Sequence, residues 1–309
     1  MSSGRERISA KEMRAIELNS EYLSVSTLQL MENAGRAVAS EIASRFSPPS
    51  RIVVYTGTGK NGGDGMVAAR HLASLGYRLS LVLVGNENNI RDEVVIANWQ
   101  AIKEMYKSIQ IRIAHDSSLI SVEDCEVTVD ALLGIGAKGA PRPPILQAVK
   151  AINESKGFKV AVDIPTGVDA DTGETEEEAV KADLTITFHK EKTGLAKAKK
   201  YVGELKIASV GIPPEAELLA GPGDVGLVTK ERLPESHKGD FGRLLIIGGS
   251  ETYTGAPSYV ALAALRTGVD LAYVAAPEKT AGVISSFSPN LITIKLKGNH
   301  FASGNLDEI

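Results

Sequence analysis

Ile52-Val53-Val54-Tyr55-Thr56-Gly57-Thr58-Gly59-Lys60-Asn61-Gly62-Gly63-Asp64-Gly65 is the stretch that decides the fold of this 309-residue chain. The run Ile52–Tyr55 is apolar without alternation, as in a strand buried on both faces. Glycines crowd the segment that follows, and a helical pattern then runs over Gly62–Leu75. Strand, glycine loop and helix in that order read either as an ordinary tight turn or, with five glycines in nine residues and Asn61 and Asp64 embedded, as a phosphate cradle. Glycine lets the backbone approach a ligand closely, and the N–H groups at a helix start attract an anion. The spacing is neither the standard dinucleotide fingerprint nor a P-loop, which would end in Gly-Lys-Ser/Thr.

Working outward, further apolar runs lie at Leu79–Val84, Val127–Leu133, Val160–Ile164 and Leu184–Phe188, with helical stretches at Asp92–Lys107 and Ile145–Glu154. Such alternation predicts an α/β fold with a Rossmann-like, doubly wound, mostly parallel sheet. Upstream, Ser9-Ala10-Lys11-Glu12 and Ser26-Thr27-Leu28-Gln29 have capping-box spacing, and each opens a helix; Pro48-Pro49 stops the second. The pattern breaks at Gly211–Pro214 and again at Gly221–Asp224. This predicts a first domain over 1–212, a linker over 213–223 and a second α/β segment over 224–309. That segment reads as strand Arg243–Ile247, turn Gly248-Gly249, helix Ala256–Thr267, strand Leu271–Ala275 and a last apolar run Leu291–Leu296.

Composition narrows the function. A net charge of −4 argues against a nucleic-acid partner, and the Lys197, Lys199, Lys200 cluster is too short to change that. One cysteine, Cys125, excludes an intrachain disulfide and a cysteine metal cage, and its place beside an apolar run suggests a buried structural thiol. No run of about 18 apolar residues occurs and the N-terminus has no signal-like core, so no membrane partner is expected and the cytoplasm is the expected compartment.

Four stretches can carry chemistry. The 57–65 loop embeds Asn61 and Asp64. A second glycine turn, Gly134–Gly139, follows a strand that carries Asp130, which either serves a ligand or caps the loop. Asp163-Ile164-Pro165-Thr166-Gly167 puts a carboxylate at a strand end, where it is costly unless paired or used, so Asp163 and Thr166 can converge on a ligand or hold a turn. Thr187-Phe188-His189-Lys190, with Lys192, follows another strand end; His189 alone proves little, and Lys190 or Lys192 could counter a pyrophosphate.

Together with Leu30-Met31-Glu32-Asn33-Ala34-Gly35, these motifs over residues 9 to about 212 resemble the N-terminal epimerase domain of the bifunctional NAD(P)H-hydrate repair enzymes. The resemblance implies epimerisation of hydrated NADH or NADPH at C6 of the nicotinamide ring, with Asp163 as the proton-transfer residue. It implies dinucleotide contacts at Lys60, Asn61, Gly62, Gly63 and Asp64, at Gly134, Ile135, Gly136, Ala137, Lys138, Gly139 and Ala140, and at Asp163. It also implies a potassium ion on Asn61, Asp130 and Thr166, all oxygen donors suited to a hard cation. Lys60 departs from the usual asparagine, which brings an ammonium beside the cation site. His237–Gly242, Gly248–Ser250, Gly255–Pro257 and Ala264–Gly268 resemble the opening portion of the family's ribokinase-like dehydratase domain, where Ala256 would contact substrate and ADP or ATP would bind. The later part of that domain has no counterpart here, so dehydration by this chain alone is not expected, and a separate chain could complete the domain. A homo-oligomer is the expected assembly. The alternatives are a scaffold of the same fold, as in an enhancer of mRNA decapping, and a small-molecule kinase.

Overall fold

The computed structural model describes residues 7–229 and 232–309. Its first compact unit ends at Val228 and a second spans Thr229–Ile309. The elements of the first unit are β1 (Arg7–Ile8), α1 (Ala10–Tyr22), α2 (Thr27–Ala43), β2 (Arg51–Thr56), α3 (Lys60–Ser74), β3 (Arg78–Val84), α4 (Glu93–Glu104), β4 (Ile109–Ala114), β5 (Val127–Ala131), α5 (Ile145–Glu154), β6 (Phe158–Val162), β7 (Leu184–Phe188), β8 (Glu191–Lys192), α6 (Lys199–Val202), β9 (Glu204–Ala208), α7 (Glu215–Leu218) and α8 (Pro222–Val228). Both capping boxes form: Ser9 with Glu12 opens α1, and Ser26 with Gln29 opens α2.

Seven strands make one parallel sheet in the order β4-β3-β2-β5-β6-β7-β9. From β2 the chain winds outward through β3 to β4, then returns to β5 and winds the other way. The reversal lies between β2 and β5, and ligands of open α/β sheets bind beyond the strand carboxyl ends at such a point. Alternate residues explain why the strands read as continuous apolar runs. Ile52, Val54, Val127, Val129 and Val160 face one layer, built with α2, α3 and α4, while Val53, Tyr55, Val82 and Val84 face the other, with Ala148, Val149 and Ile152 of α5.

The loop after β2 is packed to its limit. A Cβ on Gly57 would stand 2.1 Å from the Leu132 carbonyl oxygen, and one on Gly62 would stand 2.0 Å from that of Gly57. These contacts seat the loop on the exit of β5. Gly57→Ala is therefore expected to cost about 2–3 kcal/mol as overpacking against backbone, read as a lower urea midpoint.

The first unit runs past the boundary drawn from sequence. Buried Asn19 of α1 donates to the Ala216 carbonyl (3.0 Å) and to Asp224 (2.8 Å), and accepts from the Gly223 amide (2.8 Å). Residues 213–223, expected to be a linker, and α8 beyond them are thus held on α1. The glycines and prolines there break the periodic pattern without separating two bodies.

In the second unit, β10 (Arg243–Ile247), α9 (Gly255–Thr267), β11 (Leu271–Pro277), α10 (Glu278–Ser285) and β12 (Ile292–Leu296) form a three-stranded parallel sheet, ordered β10-β11-β12, with its helices. Its core is small, built on Ala261, Ala272, Val274, Ala276, Ala281, Ile284 and Leu291, while Leu245 and Ile247 remain exposed. No helix of the described residues is long and apolar enough to cross a membrane.

Candidate active site

A cleft of about 660 Å³ opens over the reversal point. Its floor comes from strand exits: Thr58–Asn61 after β2, Leu132–Ala137 after β5, Asp163 after β6 and Phe188 at the end of β7. One wall is the face of α1 bearing Met13, Arg14, Glu17, Leu18 and Glu21. Helix α1 is fixed at its start by the Ala10 amide, which donates to Asp171 (2.7 Å) on the loop after β6.

Asp163 is the most constrained residue of the floor. Its backbone lies in the left-handed region (φ +65°), sparsely used by side-chain-bearing residues and commonest among them for Asn and Asp. This places its carboxylate against the sheet end, where Oδ1 accepts from the Lys192 ammonium (2.6 Å) and the Thr187 hydroxyl (3.0 Å). Lys192, at 1% exposure, also donates to Thr187 Oγ1 (3.0 Å) and to the Phe188 carbonyl (2.9 Å). All three ammonium protons are spent, so Lys192 holds a carboxylate and has none left for a pyrophosphate. Lys190 is taken by Glu217, which also accepts from His189 (2.6 Å), so neither residue is free to serve a ligand. Asp163 Oδ2 makes no hydrogen bond with the described residues, and Asp163 lines the cleft. One oxygen is anchored; the other is on offer.

Next to it lies the Asp130 cluster. Asp130 is buried in β5 at 1% exposure and accepts from the Thr166 amide (2.8 Å), the Thr166 hydroxyl (2.7 Å) and the Leu132 amide (3.2 Å). Burial pushes its carboxyl up to about 6 against the pull of those donors. The Thr166 hydroxyl also accepts from the Leu133 amide (3.0 Å). Asn61, buried in the first turn of α3, has neither its side-chain oxygen nor its nitrogen satisfied by a described residue, and its Oδ1 is 3.4 Å from where a Cβ on Gly134 would stand. Asp130 is a buried carboxylate served only by neutral donors, and Asn61 is a buried amide without a partner among the described residues; both are groups that a cation would suit. The oxygen donors suit a hard monovalent ion.

Not every predicted contact reaches the cleft. Lys60, Asn61 and Asp64 line it, as do Gly134, Ile135, Gly136 and Ala137. Gly62 presses on the Gly57 carbonyl and Gly63 on the Met31 sulfur, so both act by lacking a side chain. Lys138 and Gly139 border a separate cavity of about 160 Å³, and the Ala140 amide donates to Glu176 (3.2 Å). Ala256 is exposed in the first turn of α9, in the second unit. The Leu30–Gly35 motif is largely structural: Glu32 pairs with Arg70 and His71 of α3, and Asn33 donates to the Val210 carbonyl (2.8 Å). Cys125 is half-buried, with Sγ 3.2 Å from the Thr128 hydroxyl, where sequence suggested a buried thiol.

Sequence reasoning gave Lys192 another role, as a counter-ion for pyrophosphate, and passed over Glu17 of the cleft wall. Lysine is seldom fully buried, so nothing in the sequence marks Lys192 as the partner of Asp163. Glu17 lies four residues after Met13 on the apolar stripe of α1, and a carboxylate on such a stripe is the signal that could have found it.

Fold and site define an α/β protein with a ligand cleft at the reversal of a doubly wound parallel sheet, equipped with a carboxylate–ammonium pair and a cradle suited to anions. Sequence comparison gives the family. The profile of the YjeF-related protein N-terminus matches residues 27–194, and that of NAD(P)H-hydrate dehydratase matches residues 244–308. The chain is 47% identical over 292 residues to the bifunctional NAD(P)H-hydrate repair enzyme Nnr of Hyperthermus butylicus, covering 94% of this chain and 54% of that protein. It is 39% identical over 210 residues to the NAD(P)H-hydrate epimerase of Cenarchaeum symbiosum, covering 68% of this chain and 97% of that one. The crystal structure of yeast YNL200c shares the fold, with a TM-score of 0.55 and 24% identity, covering 62% of this chain and 84% of that chain. The chain belongs to the YjeF N-terminal family, that of the NAD(P)H-hydrate epimerases, and it spans about half the length of the bifunctional Hyperthermus relative.

Proposed function

We propose that this chain epimerises hydrated NADH and NADPH at C6 of the reduced nicotinamide ring. The observation that carries the proposal is the Asp163–Lys192 pair: a carboxylate held on one oxygen, with the other presented to a cleft large enough for a nucleotide. The substrate hydroxyl sits on a carbon bonded to the ring nitrogen, so the C6–O bond is labile once a proton is placed. Inversion then needs a group that removes a proton from the incoming oxygen, and Asp163 Oδ2 is available for it. The helix start at Lys60–Asn61, with the Lys60 and Arg14 cations on the cleft lining, receives the phosphates. The repair reading follows from the relatives' names and from this geometry together.

Asn61, Asp130 and Thr166 would hold a potassium ion, whose positive charge would fix the 57–65 loop against the loop after β5. A cation that binds only the folded chain stabilises it by about 2.7 kcal/mol at a hundredfold excess over Kd. Potassium, compared with a bulky organic cation at equal ionic strength, is therefore expected to raise the melting temperature of the chain. Asn61→Ala should erase that rise, and an equal rise in the variant would remove Asn61 from the ion site.

Dehydration of the S epimer is the activity of the family's second domain. We assign the epimerase step to the first unit of this chain. The assay is proton NMR of the purified R epimer with the chain. Conversion to the S form faster than the spontaneous rate is expected, and an unchanged rate would discard the epimerase reading.

A further inference from the structure

Behind the main cleft lies a pocket of about 70 Å³, with apolar lining from Leu30, Met31, Ala34, Val210 and Ile212. Both cavities touch Glu17, Asp64, Lys60 and Phe188, so the two share a wall. Glu17 arrives on it from α1 and Asp64 from α3. Neither carboxylate hydrogen-bonds to a described residue, although each stands where polar cleft passes into apolar surface. A flat ring with one polar edge fits that boundary, its face toward the apolar lining.

The charges around the wall separate the carboxyl groups into roles. Asp163 is tied through Oδ1 to Lys192's buried ammonium. Glu17 is pushed up, first by burial and then by the negative charge of Asp163, against the pull of Lys60, Lys192 and Arg14. Asp64 is pushed up further, by burial and by both Asp163 and Glu17.

We propose, resting on the epimerase reading above, that Glu17 is the catalytic acid of the reaction and works from the α1 wall while Asp163 works from the strand floor. The Glu17 carboxyl proton passes to the C6 hydroxyl, the C6–O bond breaks to release water, and the ring-nitrogen lone pair forms the C6=N1 bond of an iminium cation. A second water then bonds through oxygen to the opposite face of C6, gives its proton to Asp163 Oδ2, and the C6=N1 electrons return to nitrogen. Exchange with solvent moves the proton from Asp163 back to Glu17, and no oxidant or reductant is needed. In the reverse direction the two groups exchange roles, as an epimerase requires. Asp64, on α3, is also pushed up by burial, whereas Glu17 stands on the α1 wall across from the strand floor that carries Asp163.

The test compares kcat and KM for wild type, Glu17→Gln and Glu17→Asp by NMR exchange across pH 5.5–9. Wild-type kcat is expected to fall at alkaline pH as Glu17 loses its proton. Glu17→Gln should lose about a hundredfold in kcat with KM nearly unchanged, and should lose the alkaline fall, while Glu17→Asp recovers part of the rate. A Glu17→Gln enzyme within fivefold of wild-type kcat, or one in which only KM changes, overturns the proposal. So does a wild-type profile that stays flat to pH 9, a result that needs no variant to fold. A wild type that epimerises nothing condemns the parent reading instead, so the two failures are distinct.

Discussion

Asp163→Asn is expected to lower kcat for epimerisation by about a thousandfold while leaving KM within about threefold. The amide matches the carboxylate in shape, and its oxygen can still accept from Lys192 and Thr187 as Oδ1 does now, at 2.6 and 3.0 Å. Asparagine also tolerates the left-handed backbone at φ +65°, so the turn after β6 should survive. The atom on the cleft side changes: an amide nitrogen cannot take the proton of an incoming water. The defect should therefore lie in turnover rather than binding, and calorimetric titration with a substrate analogue would show near-normal affinity. Residual kcat above a tenth of wild type would move the proton-accepting role away from Asp163. Lost binding with normal turnover at saturation would make Asp163 a ligand contact only.

The sequence made the sheet legible because its central strands are buried on both faces and so lack alternation. Strands β4 and β9 escaped notice for the opposite reason. They are the sheet edges, and Ile109-Gln110-Ile111-Arg112-Ile113 and Glu204-Leu205-Lys206-Ile207 mix charge with apolar residues as half-exposed strands do. At the site, Asn61, Asp130 and Asp163 were legible because polar side chains at strand exits and in a glycine loop have few structural reasons to be there. The division among the glycines was not, since a glycine that meets a ligand and one that meets another backbone look alike in sequence. Gly62 and Gly63 are of the second kind. The pairing of Lys192 with Asp163 was not legible, because only the fold reveals that β8 pairs with β1 and brings this ammonium to the carboxylate.

That ammonium carries the largest expected effect on stability. Lys192→Met removes the charged partner of Asp163 and leaves a carboxylate almost fully buried, with the Thr187 hydroxyl and the more distant Phe188 amide as donors to its Oδ1. Breaking one side of a buried pair costs about 3–5 kcal/mol, because the orphaned charge keeps its desolvation cost. Urea unfolding should show a loss of that size near neutral pH. Adding Asp163→Asn to Lys192→Met removes the orphaned charge, and the double variant should recover most of the stability while remaining inactive. A pair that merely sits side by side would give additive losses in this cycle; recovery on combining the substitutions is the mark of direct coupling. The same four proteins separate holding from chemistry, because stability returns in the double variant and turnover does not.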